Sequence, residues 1–364
     1  MWPAVSLEQL RQALRGTARA VGLHRPVVHL AADLLLDRGR HVVRLGGLEV
    51  HPPARPVALE PDETGHVERD GVRVAWEQFG SGSPTILFMP TWSLVHSRCW
   101  KAQVPYLARH FRVVTFDPRG NGASDRPSDP AAYAESEFAA DALAVMDATD
   151  TERAVVVCWS RGAQRTLLLA AEHPERVLGT VFIGPALPLA PVSSERGAYM
   201  SRFSERLDTD EGWAKWNAHY WRRDYRGFLE FFIGEMFCEP HSTKQIEDAI
   251  GWGLETDPET LAATVLGPWI DSGERTLELC EQVSCPVLVI HGEKDLLRPV
   301  AIGRALAEAI DGRFVGLPGS GHAPHARVPV LVNTLIREFV EEPARSPPAE
   351  SPGLAAPIPT GERP

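Results

Sequence analysis

The chain reads as an α/β protein with a mostly parallel central sheet, flanking helices and a helical insertion. Three observations predict it. Apolar runs without alternation, such as Ala154-Val155-Val156-Val157-Cys158 and Val287-Leu288-Val289-Ile290, suit strands buried on both faces. Segments of helical length and propensity alternate with these runs, the order in which crossovers build a parallel sheet. Between residues 187 and 282 the alternation stops and a helix-patterned stretch takes over, holding Trp213, Trp216, Tyr220, Trp221, Tyr225, Phe228, Phe231, Phe232, Phe237, Trp252 and Trp269.

Residues 1–64 are expected to be a helical extension with a Pro-rich linker. Ser6 and Gln9 form a capping-box start for a helix carrying Leu7, Leu10 and Leu14, and a second apolar stretch covers residues 27–36. Seven arginines against Glu8, Asp33, Asp37 and Glu49 give residues 1–50 a charge of +3, leaving -14 of the total -11 to the rest. This is the pattern of an arm packed on the main domain or on a second subunit, so a homodimer through residues 1–64 is one expectation. The core is expected at residues 65–186 and 283–342. It opens with two short strands around Asp70-Gly71, a strong hairpin signal. Strands follow at 85–89, 112–116, 154–158, 177–183, 286–291 and 313–317. Pro105 must start or kink a helix within 100–110, and Ser136 caps a helix running to Ala148. The insertion at 187–282 sits on the sheet edge where loops gather and reads as a lid. Residues 343–364 contain seven prolines and few apolar side chains, a composition expected to be disordered.

Composition excludes several function classes. The 364 residues carry a net charge of -11, so there is no basic footprint for nucleic acid. Five cysteines form no CxxC pair and HExxH is absent, so neither a disulfide framework nor a metal site is expected. No apolar run approaches membrane-spanning length, and a cytoplasmic location is expected.

Chemistry concentrates at the carboxyl ends of three strands. Ser160 occupies the turn Trp159-Ser160-Arg161-Gly162 between a buried strand and a helix, which pushes its hydroxyl out at the sheet edge. Asp295 follows one later strand in Gly292-Glu293-Lys294-Asp295. His322 follows another in Pro318-Gly319-Ser320-Gly321-His322. A serine hydroxyl needs a base, and the base needs a carboxylate to hold its tautomer. Gly120-Asn121-Gly122 lacks the third glycine and helix opening of a dinucleotide fingerprint, so no cofactor is expected there.

Over residues 66–342 the chain resembles the α/β-hydrolase superfamily. The matching segments are Cys158-Trp159-Ser160-Arg161-Gly162, the loop from Asp117 to Asp125, His291-Gly292-Glu293-Lys294-Asp295 and Gly319-Ser320-Gly321-His322. The resemblance implies Ser160 as nucleophile, His322 as general base and then acid, and Asp295 as its orienting carboxylate. It also implies an oxyanion hole, assigned by position to the backbone N–H groups of Trp92 and Arg161. Two departures stand out: Cys158 replaces the usual elbow glycine, and Pro90-Thr91-Trp92 replaces His-Gly across the pocket. Trp159, His96, Trp216, Trp221 and Phe232 are candidates for the pocket lining. Asp117 and Arg119 brace loops, His325 packs its loop, and Cys158 is a small buried apolar group. The expected function is cofactor-free, metal-free serine hydrolysis of a small carboxylic ester with an apolar acyl or alcohol group. The same residues would serve thioester, lactone or carbon–carbon bond hydrolysis or perhydrolysis, and a slow or silent ligand-binding receptor is the reading from another class.

Overall fold

The computed structural model describes residues 43–45, 48–50 and 59–342. Within the first unit, Val43–Leu45 pairs antiparallel with Leu48–Val50. β-Branched and apolar residues flank Gly46-Gly47, a composition that favours a hairpin. The helices expected within 7–36, the linker before residue 59 and the tail at 343–364 lie outside the described residues.

The second unit begins at Glu60. Its first strand starts at Glu63, inside the expected linker. Eight strands form one sheet: β1 Glu63–Arg69, β2 Val72–Phe79, β3 Thr85–Phe88, β4 Arg112–Phe116, β5 Ala154–Trp159, β6 Val177–Ile183, β7 Val287–Gly292 and β8 Arg313–Leu317. Their spatial order is β8-β7-β6-β5-β3-β4-β2-β1, and β3 to β8 all pair parallel. The β2 strand alone runs against the rest, because it leaves β1 by a two-residue turn. In that turn Asp70 and Gly71 have φ of 53° and 78°, the left-handed pair a tight hairpin needs.

Twelve helices are described in this unit. They are α1 Val104–Leu107, α2 Glu135–Ala148, α3 Gly162–Glu172, α4 Ser194–Met200, α5 Ala218–Arg223, α6 Tyr225–Met236, α7 Thr243–Gly253, α8 Pro258–Leu266, α9 Gly273–Cys280, α10 Val300–Ala309, α11 Pro324–Arg327 and α12 Pro329–Glu341. Side chains alternate across the strands, so β5 sends Val156 and Cys158 to one face and Val155, Val157 and Trp159 to the other. The first face packs on α2, α3, α9 and α10, while the second packs on α1, α12 and the aromatic helices α5 and α6. Both faces are therefore covered, which is why β5 needs no polar alternation.

The expected Ser136 cap is a correction: Ala134 holds the cap position in extended conformation and Ser136 lies in the first turn of α2. The cause is Glu135, which begins the helix and turns inward to two arginines. Helices α4 to α9 fill the interval between β6 and β7. Their rings pack on one another, with Trp221 and Phe228 centroids 4.2 Å apart and Trp216 and Trp221 5.5 Å apart.

Candidate active site

Ser160 follows β5 directly with φ of 53°, a left-handed conformation that costs a non-glycine residue of order 1–3 kcal/mol. Neighbouring strands and helices over-determine it. Its N–H donates to Ile183 O at 3.0 Å, and its carbonyl accepts from Ala163 N and Ala186 N at 3.1 and 3.0 Å. Two residues on, a Cβ at Gly162 would come 2.8 Å from Pro90 O and 3.3 Å from Cys158 Cβ, so only glycine lets α3 approach the β3 loop. Cys158 fits where the family pattern has glycine, and burial pushes its thiol up to about 12.

The Ser160 Oγ lies 2.9 Å from His322 Nε2, and His322 Nδ1 lies 2.7 Å from Asp295 Oδ2. The other Asp295 oxygen accepts from Leu297 N and Arg298 N, both at 2.8 Å. Burial works to raise the Asp295 pKa, but the His322 charge and the hydrogen bonds of His291 and His322 outweigh it and hold the carboxyl well below its usual range. His322 is itself fixed at both main-chain ends: its N–H donates to Met236 O at 3.0 Å and its carbonyl accepts from Trp159 Nε1 at 2.8 Å. Imidazole orientation is thus set by α6, β5 and the β7 loop together.

Across the opening, neither the Trp92 nor the Arg161 backbone N–H has an acceptor among the described residues. The peptide that carries the first is held from behind. Arg165 Nη1 donates to Pro90 O at 3.0 Å and Thr91 O at 2.5 Å. In a trans peptide the N–H points opposite to the carbonyl, so anchoring Thr91 O turns the Trp92 N–H away from Arg165. Arg165 is held in turn by buried Glu135, 2.7 Å from its Nε, and Glu135 also pairs with Arg161. The Arg165 and Glu135 roles were not read from the sequence. The signal present was the i, i+4 spacing of Arg161 and Arg165, which puts both on one helix face.

These groups open on a cavity of about 630 Å³ lined by Thr91, Trp92, Trp159, Ser160, Arg161, Trp216, Phe232 and His322, among others. Two expected lining residues lie elsewhere. His96 is buried between Asp117 and Glu255, 3.8 and 3.4 Å from its ring nitrogens, because the Ser97–Trp100 turn carries it away from the opening. Trp221 is wholly buried in the aromatic cluster, its Nε1 donating to Lys215 O at 2.9 Å. Asp117 accepts from Ser97 N and Ala123 N, Arg119 pairs with Asp141 at 2.6 Å, and His325 packs 4.6 Å from Trp159. Among the described residues, no group of three or more His, Cys, Asp or Glu side chains could hold a metal, and no helix is long and apolar enough to cross a membrane.

The α/β-hydrolase-fold family model matches residues 84–248. Curated relatives extend the similarity further: a 2-hydroxymuconate semialdehyde hydrolase of Pseudomonas sp. (strain CF600) is 26% identical over 75% of this chain and 92% of its own. The chain has the α/β-hydrolase fold. A serine hydrolase of Mus musculus is 26% identical over 80% of this chain and 91% of that one. Among solved structures, a thermophilic esterase from Thermogutta terrifontis is 26% identical, covers 77% of this chain and 98% of its own, and has a TM-score of 0.63. Such relatives support a hydrolase activity for a chain of this fold.

Proposed function

We propose that this hydrolase cleaves a carboxylic ester through an acyl-enzyme on Ser160, with the helices of residues 187–282 as a lid over the cavity. The observation that carries the reading is the unbroken chain from Ser160 Oγ through His322 to Asp295, at 2.9 and 2.7 Å, opening on a mainly apolar cavity. Ionised Asp295 keeps the imidazole proton on Nδ1, which leaves Nε2 free to accept from the serine. As Oγ bonds to the ester carbonyl carbon its proton passes to Nε2. The developing oxyanion takes hydrogen bonds from the Trp92 and Arg161 N–H groups, which have no other acceptor and so need no reorganisation. Collapse breaks the bond to the alcohol oxygen, which leaves with the proton from Nε2. Water then adds to the acyl carbon by the same route and releases the acid and free Ser160.

The apolar walls favour a substrate with a hydrocarbon body. Trp159, Trp216 and Phe232 supply flat, rigid surface beside Ser160, and Trp92 stacks on Trp216 at 5.1 Å. Replacing Ser160 with alanine tests the mechanism on short-chain aryl esters. The expected loss in kcat is on the order of 10⁴–10⁶-fold with unchanged circular dichroism. Turnover near the wild-type rate in a folded Ser160→Ala protein would remove the acyl-enzyme.

A further inference from the structure

The cavity has a wall whose charges are unmatched. Arg196, on α4, is only 2% exposed and its Nε has no partner. One Nη atom donates to Leu297 O, a neutral acceptor, and the guanidinium carbon lies 4.7 Å from the Trp213 ring centroid. Arg298, on the loop after Asp295, is packed round by protein yet partly exposed where it faces the cavity. Its side chain makes no hydrogen bond or ion pair among the described residues. Both arginines line the cavity that holds Ser160 and His322. The cavity's one acidic lining residue, Glu205, already meets Arg202 Nε at 2.8 Å. Asp295 and Glu235 act on Arg196 only through space, and Asp295 already accepts from His322, His291 and two backbone N–H groups.

Two cations lining one cavity without a hydrogen-bonded counter-ion are costly. Burial and then the like charge of Arg298 push Arg196 below the ordinary arginine range. Removing a buried charge from water is repaid only by an opposite charge with hydrogen bonds. An arginine that lines a binding cavity and has no hydrogen-bonded carboxylate therefore marks the position of a ligand anion. The planar fork of donors suits a carboxylate, which can accept from two N–H groups at once.

We infer that Arg196 and Arg298 form an anion subsite, and that the natural substrate is an ester whose apolar body carries a carboxylate. This deepens the proposed function and rests on it for the ester, whereas the anion site stands on the two arginines alone. In binding, the hydrocarbon body lies along the aromatic wall while the carboxylate docks at the α4 side. Because Arg298 follows Asp295 by three residues, anchoring there also fixes the ester relative to the serine and histidine.

The test compares esters matched in length and differing in charge. Monomethyl adipate against methyl hexanoate places the carboxylate on the acyl side; 6-acetoxyhexanoate against hexyl acetate places it on the alcohol side. Wild-type enzyme is expected to favour the charged member of at least one pair by about 10- to 100-fold in kcat/KM, chiefly through KM. In Arg298→Gln and in Arg196→Gln that ratio falls towards one, whichever variant is the better folded. Equal rates within both pairs, or preference for the neutral members, would overturn the subsite, since an apolar cavity without an anion site rejects carboxylates. Calorimetric binding of the same compounds to Ser160→Ala separates the two claims. Arg298-dependent binding of the acids with no wild-type turnover keeps the subsite and sinks the esterase reading. Turnover with no charge preference does the reverse.

Discussion

Two buried arginines, Arg165 behind the β3 loop and Arg196 in the cavity lining, have opposite settings. Arg165, behind the β3 loop, shares Glu135 with Arg161 and directs Nη1 to two carbonyls. Arg196, on α4, is equally buried and has no carboxylate. Behind the β3 loop a buried carboxylate partners the arginine within the fold, so it can hold the peptide bearing the Trp92 N–H in place without any ligand. In the cavity lining the arginine has no hydrogen-bonded carboxylate. On the proposed reading, the contrast separates a scaffold for ester chemistry from a surface that selects the substrate.

The largest expected effect falls on the scaffold side. Asp295→Asn removes the charge that stabilises protonated His322 and favours the wrong tautomer, and should lower kcat by about 10⁴-fold in steady-state assays. An effect below tenfold would mean that Asp295 does not orient the histidine.

Stability measurements then set the two arginines against each other. Glu135→Gln strands Arg165 in the interior, and chemical denaturation should register a loss of about 3–5 kcal/mol. Arg196→Met should instead gain roughly 1–3 kcal/mol, because it deletes a buried charge to which no carboxylate is hydrogen-bonded. A loss of similar size in Arg196→Met would place both arginines in the same structural class and erase the comparison.

Acid titration sharpens it further. His325 is pushed down to about 3, by burial first and by the His322 charge second. The unfolded side chain titrates near 6.5, so on acidification the unfolded chain takes a proton that the folded one refuses, and stability falls with pH from about 6.5 towards 3. Between pH 7 and 5 the loss is about 2 kcal/mol, and His325→Phe should abolish it in urea titrations at the two pH values. The Asp295 contribution has the opposite sign of charge and a different window: it is present above about pH 4 and is lost only below that.

The smallest expected change is at the elbow itself. Cys158→Ala should alter kcat/KM by less than about tenfold, and thiol reagents should reach exposed Cys238 long before buried Cys158.

How much of this was legible in the sequence depends on whether a residue's setting is local. Strands 112–116, 177–183 and 313–317 were readable to the residue, because an apolar run bounded by breakers is a local signal. Ser160, Asp295 and His322 each follow such a run, which is why their common location at one sheet edge could be expected. His96 and Trp221 were misplaced as lining residues, since which side of an aromatic cluster faces a cavity is set by packing among helices. Arg196 was invisible for the same reason. In Ser193-Ser194-Glu195-Arg196-Gly197 it reads as a surface residue of a short helix, and only the descent of α4 onto the β7 loop buries it. Glu135 likewise resembled an ordinary first-turn acid until its two arginine partners came from α3 and the turn before it.

The central claim is that Ser160 is a nucleophile activated by His322. Treating the enzyme with a fluorophosphonate and sequencing the tryptic peptide Ala154–Arg161 by mass spectrometry tests it most directly. The account predicts stoichiometric phosphonylation of Ser160 in the wild type, greatly slowed labelling in His322→Ala and none in Ser160→Ala. An unmodified Ser160 in folded wild-type protein, or equal labelling of the His322→Ala variant, would contradict it.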